Sequence, residues 1–320
     1  MDTQASEFDL IARIRERVTS RDDVLLGIGD DAAVLQVAAG NQLVVAMDTL
    51  NSGVHFPPDT APADIGWKVL AVNLSDLAAM GAKPAWCTLS LSLPSPDMAW
   101  VDAFLDGFLA LASTHRVALV GGDTTRGPLS VCVTAFGSIA DGKVMRRDGA
   151  LAGDDLWVTG TLGDAAASLA QWRAGSSITP ALRARLDRPS PRVAFGIALA
   201  DLAHACIDVS DGLLADLAHV CAQSGVGMQV SVDALPASSD LMATVLQPQR
   251  RIMQASGGDD YELCFTAPVN ARDAIISIAN AQQLQVSRIG TVTAGDGVQA
   301  VLENGASWVP AQAGYTHFVD

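Results

Sequence analysis

The chain has 320 residues, with 35 Asp and Glu against 20 Lys and Arg, a formal net charge of −15. Such a balance repels phosphate backbones and excludes broad nucleic-acid binding. No apolar run approaches the ~20 residues of a membrane span, and the acidic start lacks the basic region of a signal peptide, so a cytoplasmic protein away from membranes is expected.

Length suggests two domains, residues 1–150 and 151–320. Hydrophobic residues make up 49% of the chain, enough for a packed core. The cysteines, Cys87, Cys132, Cys206, Cys221 and Cys264, are odd in number and irregularly spaced, which argues against a disulfide framework or a zinc site.

In chain order, residues 1–18 read as an amphipathic helix with Phe8, Ile11, Ile14 and Val18 on one face. Residues 43–48 read as a buried strand ending at Asp48. A helix over 63–80 runs into Gly81. The alternation in 87–93 reads as a strand stopped by Pro94 and Pro96. A helix over 97–114 and strands over 117–120 and 129–139 complete the first half.

The second half opens with a strand over 156–160 and an Ala-rich helix after Gly163. Residues 174–191 read as a surface excursion. Helices over 192–204, 212–223 and 271–280 alternate with strands over 206–210, 227–232, 261–266 and 285–291. The alternation indicates an α/β chain built of α+β layers. Ser75-Asp76 echoes Ser210-Asp211, and Gly-Gly-Asp occurs at 121–123 and at 257–259.

The chemistry is written in aspartates at strand ends or in glycine-rich turns: Asp30-Asp31, Asp48, Asp76, Asp123, Asp208 and Asp211. Each follows an apolar stretch. A buried carboxylate is costly unless paired, and basic residues near these motifs are few, so bound cations are the economical partners. Mg²⁺ suits them, because it takes a carboxylate or two and fills its octahedron with water and phosphate oxygens. Turn formation or helix capping is the alternative at any one position, Asp76 and Asp211 above all.

GIGDDA (27–32) matches the dinucleotide fingerprint in letters only, because AVLQV and Gly40 follow instead of a crossover helix. There is no P-loop and no protein-kinase motif set.

Together, GIGDDAAVL (27–35), MDTLNSGVHF (47–56), KVLAVNLSDLAAMGAKP (68–84), LVGGDTTRGPL (119–129), IDVSDGLLADLAH (207–219), GGDDYELCFT (257–266) and GYTHF (314–318) resemble the thiamine-monophosphate kinase family. Its superfamily includes aminoimidazole ribonucleotide synthetase and selenophosphate synthetase. The lack of a C-terminal cysteine separates the chain from the hydrogenase-maturation relative. The lack of an N-terminal reactive cysteine separates it from selenophosphate synthetase.

The resemblance implies direct in-line transfer from ATP to thiamine monophosphate. Several Mg²⁺ ions would be held by Asp31, Asp48, Asp76, Asp123, Asp208, Asp211 and the Met47 carbonyl. Gly122, Arg147 and Ser210 would contact ATP, alongside Asp123, with Asp48, Asp123 and Arg147 central to the transfer. His55, Asp259 and Tyr315 would face the thiamine side. At Asp259 the family usually has Glu. The resemblance also implies a homodimer whose N-terminal ATP/Mg-binding domains pair their sheets into a barrel, with a C-terminal α/β domain on each chain. A metal-dependent phosphohydrolase and a non-catalytic nucleotide sensor are the competing functions.

Overall fold

The computed structural model describes residues 6–317. Phe318 of the last motif and residues 1–5 of the expected first helix lie outside them. The chain divides into two units, 1–77 with 82–142 and 78–81 with 143–320.

The first unit begins with α1 (Glu7–Arg17). The Ser6 hydroxyl accepts the Asp9 N–H while the Asp9 carboxylate accepts the Ser6 N–H, a reciprocal cap. Leu10 and Ile14 are its buried residues, whereas Phe8, expected on the apolar face, is 77% exposed. At 3.6 residues per turn Phe8 stands about 200° round the helix from Leu10, so both cannot face inward.

Next come β1 (Val24–Leu26), β2 (Val34–Leu35), β3 (Asn41–Asn51), α2 (Pro62–Ala79), β4 (Lys83–Leu93), α3 (Met98–His115), β5 (Ala118–Arg126) and β6 (Ser130–Ala140). β1 and β2 form a hairpin around GIGDD, with no crossover helix after it. The other four strands form a sheet in the order β3-β6-β4-β5, antiparallel except for β4 with β5.

Residues 43–48 are not a buried strand. They lie in β3, which bonds only to β6 within its sheet, and Leu43, Val45 and Met47 are 48, 54 and 64% exposed. Composition fixed the strand but could not tell which of its faces is covered. On the other sheet face Val131, Val133, Leu89 and Leu91 are buried. The helices of this unit pack through glycine: a Cβ on Gly107 would meet the Ala63 carbonyl at 1.7 Å, and one on Gly66 the Phe104 carbonyl at 2.1 Å.

The second unit contains β7 (Asp155–Thr159), α4 (Asp164–Arg173), α5 (Pro180–Asp187), α6 (Val193–Leu199), β8 (Ala205–Asp208), α7 (Leu213–Ser224), β9 (Gly227–Ser231), α8 (Ser239–Thr244), α9 (Gln247–Ser256), β10 (Leu263–Ala267), α10 (Arg272–Ala281), β11 (Val286–Thr293) and β12 (Gly297–Val301). Its six strands run β12-β9-β11-β7-β10-β8, with only β12 and β9 parallel. The chain is thus a mixed α/β protein, with a four-stranded sheet and the β1-β2 hairpin in the first unit and a six-stranded sheet in the second.

Two expectations change here. The excursion at 174–191 contains α5, whose Leu182 and Leu186 are buried. The helix expected over 192–204 stops at Leu199, and the chain closes there in a turn in which the amides of Leu202 and Ala203 both donate to the Leu199 carbonyl. Cys87, Cys206, Cys221 and Cys264 are buried, Cys132 is partly exposed, and all five are free thiols.

Buried Asp155, at the start of β7, is held by Arg272 at 2.7 Å and by Arg288 at 3.4 Å. The Arg272 contact holds its carboxyl below the ordinary value of 3.8 against the opposing effect of burial. A depressed acid stabilises the fold above its unfolded pKa and loses that contribution as pH falls through the folded one. Asp155→Asn is therefore expected to cost about 2 kcal/mol at neutral pH. Urea unfolding should show the gap between variant and parent closing below pH 3.8.

Candidate active site

Asp48 lies within β3, not at its end. Its N–H donates to Oδ1 of Asn73 at 3.1 Å, and the Asn73 amide donates to the Val69 carbonyl at 2.9 Å. Asn73 is fully buried in α2, and Asp76 follows it by three residues on the same helical face. Asp76 thus sits inside α2, well past its N-terminus. Because the Asp48 amide points to Asn73, ladder alternation turns the Met47 backbone toward its partner Thr134 on β6. The Met47 carbonyl is then a sheet acceptor with one lone pair to spare.

Gly122 and exposed Asp123 lie inside β5 rather than in a turn. Asp48, Val133, Leu89 and Gly122 stand opposite one another across the four strands. That row covers three inter-strand steps, roughly 14 Å. Ligands of one Mg²⁺ sit about 2.1 Å from the ion. The row is longer than the coordination shell of a single ion. Exposed Asp31 lies in the β1–β2 turn, where its N–H donates to the Asp30 carboxylate at 2.9 Å.

His55 accepts the Asn51 N–H on Nδ1 at 3.0 Å, and its carbonyl accepts from buried Lys68 at the same distance. With Nδ1 an acceptor, the neutral ring carries its proton on Nε2.

In the second unit, Asp208 closes β8 and Ser210-Asp211-Gly212 forms the loop before α7. Neither Asp211 nor any other side chain caps that helix at its first residue. The amides of Ser210, Asp211 and Gly212 instead converge on Oδ2 of Asp216, one turn inside α7, at 3.1, 3.2 and 3.1 Å. Burial, and then the charges of Asp208 and Asp211, push Asp216 up to about 7.

A second loop closes on the first. The Asp259 N–H donates to the Ser210 carbonyl at 2.9 Å and the Tyr261 N–H to the Val209 carbonyl at 2.8 Å. Asp259 and Tyr261 are left-handed, with φ of 68° and 50°. The Tyr261 hydroxyl donates to the Asp259 carboxylate at 3.1 Å. A Cβ on Gly258 would lie 2.5 Å from the Ser210 carbonyl, so this approach requires glycine. The Tyr315 N–H donates to the Asp211 carbonyl at 2.8 Å, and its ring meets His317 edge-on.

Asp208, Ser210, Asp211, Asp259 and Tyr315 are therefore drawn together. Arg147 is exposed on a turn whose carbonyl accepts from Ser224 at 2.8 Å.

Among the described residues, no three His, Cys, Asp or Glu side chains form a ready-made metal cage. The donor chemistry still fits a hard cation. Mg²⁺ asks for one or two carboxylates, with water and phosphate completing the shell. The repulsion that lifts Asp216 is of the kind a nearby divalent charge offsets.

Sequence reasoning missed Asp216, Asn73 and Glu262. Asp216 is an acid among Leu213, Leu214 and Leu217 on a helix, and Glu262 an acid inside an apolar strand approach. Each was a visible anomaly of that kind.

Residues 29–139 match the family model described as AIR synthase related protein, N-terminal domain, and 152–303 match its C-terminal domain. A thiamine-monophosphate kinase of Salmonella typhimurium is 48% identical over 275 residues, 84% of this chain and 85% of that protein. The Escherichia coli protein of that name is 44% identical over 98% of both chains. The crystal structure of the thiamine-monophosphate kinase from Stenotrophomonas maltophilia is 54% identical, with a TM-score of 0.88 over 96% of this chain and 99% of that one. The solved structure of AaThiL complexed with AMPPCP and TMP is 30% identical, with a TM-score of 0.76 over 99% of this chain and all of that one. The chain belongs to the thiamine-monophosphate kinase family, among the AIR synthase related proteins.

Proposed function

We propose that this chain transfers the γ-phosphate of ATP to thiamine monophosphate, giving thiamine diphosphate and ADP. The observation that carries this is the likeness to AaThiL complexed with AMPPCP and TMP, which runs over 99% of the chain. An oxygen of the acceptor phosphate attacks the γ-phosphorus as the bond to the β-bridging oxygen breaks, and ADP leaves with that electron pair. A phosphate monoester is largely dianionic at neutral pH, so the nucleophile needs no protein base. The chain's task is to position two anions and offset their repulsion.

Asp31, Asp48, Asp76, Asp123, Asp208 and Asp211 would hold Mg²⁺, with the remaining lone pair of the Met47 carbonyl as a further donor. Bound there, the ions supply positive charge to the phosphate oxygens. The row from Asp48 to Gly122 favours more than one ion. Gly122, Arg147 and the Ser210 hydroxyl contact ATP, and Arg147 adds a side chain free to swing from its exposed turn. His55 offers Nε2–H to the acceptor, Asp259 its carboxylate and Tyr315 its half-exposed ring. Free thiols throughout suit a reducing cytoplasm, and no helix among the described residues is long and apolar enough to cross a membrane.

The exposed Leu43, Val45 and Met47 on an edge strand call for cover, because an open apolar edge invites aggregation. A second copy of this sheet provides it, in a homodimer closed as a barrel. Light scattering is expected to give a dimer at micromolar concentration, and Val45→Lys to shift it toward monomer. A parent that is a stable, active monomer would refute the pairing.

With ATP and Mg²⁺, thiamine monophosphate is expected to yield ADP and thiamine diphosphate in equal amounts, and free thiamine to yield neither. Release of free phosphate without thiamine diphosphate would mark a phosphohydrolase instead.

Asp48→Asn and Asp123→Asn keep side-chain shape while removing charge. Each is expected to lower kcat by far more than tenfold, which is about 1.4 kcal/mol of barrier, with unfolding midpoints near the parent's. Turnover within tenfold would return both residues to a purely structural role.

A further inference from the structure

Glu262 stands three residues after Asp259 and is completely buried. It accepts from Thr159 Oγ1 at 2.7 Å, from Arg185 Nη2 at 2.8 Å, from Arg192 Nε at 2.6 Å and from Arg192 Nη2. Burial alone would raise its pKa, yet Arg192, Arg185 and Thr159 together hold it below the ordinary glutamate value. The Arg192 contacts form a two-pronged fork, the geometry lysine cannot reproduce. Arg185 comes from the stretch that read as a surface excursion, and Arg192 from the start of the helix expected after it. A Cβ on Gly160 would lie 2.1 Å from the Glu262 carboxylate, so the backbone is shaped around this contact.

The Glu262 carbonyl accepts the Val209 N–H at 2.8 Å, which ties the clamp to the strand leading into Ser210. Between the clamp and the site lie the left-handed Asp259 and Tyr261, each in a strained backbone conformation that the surroundings must offset. Next to Asp260 the turn is pinned again, since its carboxylate accepts the Gly163 N–H at 2.9 Å.

We propose that Arg192, Arg185 and Glu262 are positioning residues: the buried clamp sets the Asp259–Tyr261 turn and so aims the Asp259 carboxylate at the acceptor. This rests on the reading of Asp259 as an acceptor contact in the kinase. The clamp touches no reacting atom.

A cavity of about 250 Å³ is lined by Arg185, Arg192, Glu262, Gly160 and Ser238. It is large enough to admit a guanidinium ion. The chain has only two tyrosines, Tyr261 and Tyr315. Full-chain protein labelled with 3-fluorotyrosine therefore gives two fluorine resonances, assigned by Tyr261→Phe and Tyr315→Phe.

In Arg192→Lys the KM for thiamine monophosphate should rise about tenfold, with KM for ATP within about twofold, and the Tyr261 resonance should move. In Arg192→Ala, millimolar guanidinium should restore both readouts. Arg185→Lys, which disturbs one bond, keeps the test open should the Arg192 variants fold poorly, and should give a smaller effect of the same pattern. An unmoved Tyr261 resonance in folded variants would overturn the proposal. So would equal rises in both KM values, or a loss confined to kcat and thermal stability. If the parent does not phosphorylate thiamine monophosphate, the kinase reading fails, while the fluorine signal still decides whether the clamp sets the turn.

Discussion

The amides of Ser210, Asp211 and Gly212 all point at one oxygen of Asp216. Such a convergence is a small anion nest occupied by the protein's own carboxylate. It fixes the loop that carries Ser210 and Asp211, and that loop in turn receives the Asp259, Tyr261 and Tyr315 backbones. Remove the nest and four segments lose their common reference. The arrangement also buries Asp216 beside Asp208 and Asp211, and burial first, then their charges, holds the group so high. A cluster of acids of this kind is one whose charge a cation is suited to offset.

The first unit solves the same problem with neutral groups. Asn73 is buried without charge and satisfies both the Asp48 amide and the Val69 carbonyl. A buried amide that spends donor and acceptor on backbone orients its neighbours at little electrostatic cost. The acids there stay at or near the surface, with Asp31 and Asp123 exposed and Asp48 and Asp76 half-buried. The two units thus carry acids at different depths, one set tethered by its fold and one presented to solvent.

Much of this was legible beforehand. Alternation in 87–93 and 129–139 gave β4 and β6, and Pro94 and Gly81 marked real stops. The aspartate motifs pointed to the chemistry without any fold. Depth was not legible: β3 reads as apolar whether its second face is covered or open, and Phe8 reads as core by composition alone. Long-range pairing was equally hidden. Nothing local tells that Arg185 and Arg192 reach a glutamate some seventy residues on. The Asp at 259 was noticed only as a shorter acid. Its φ of 68° supplies a physical reason, since Asp adopts the left-handed region more readily than longer side chains do.

Strand order in the first unit has a consequence for how the chain comes into being. β6 lies between β3 and β4, yet it is the last of the four strands in sequence, and Asn41 pairs with Ala140. Pairings this distant close slowly, because the loop entropy is lost before the contacts form. On the ribosome β3 must wait until residues 130–140 have left the exit tunnel. Through that interval Leu43 and Val45 belong to a strand with no partner. The nascent first unit is then a natural client for a chaperone that shields apolar strands.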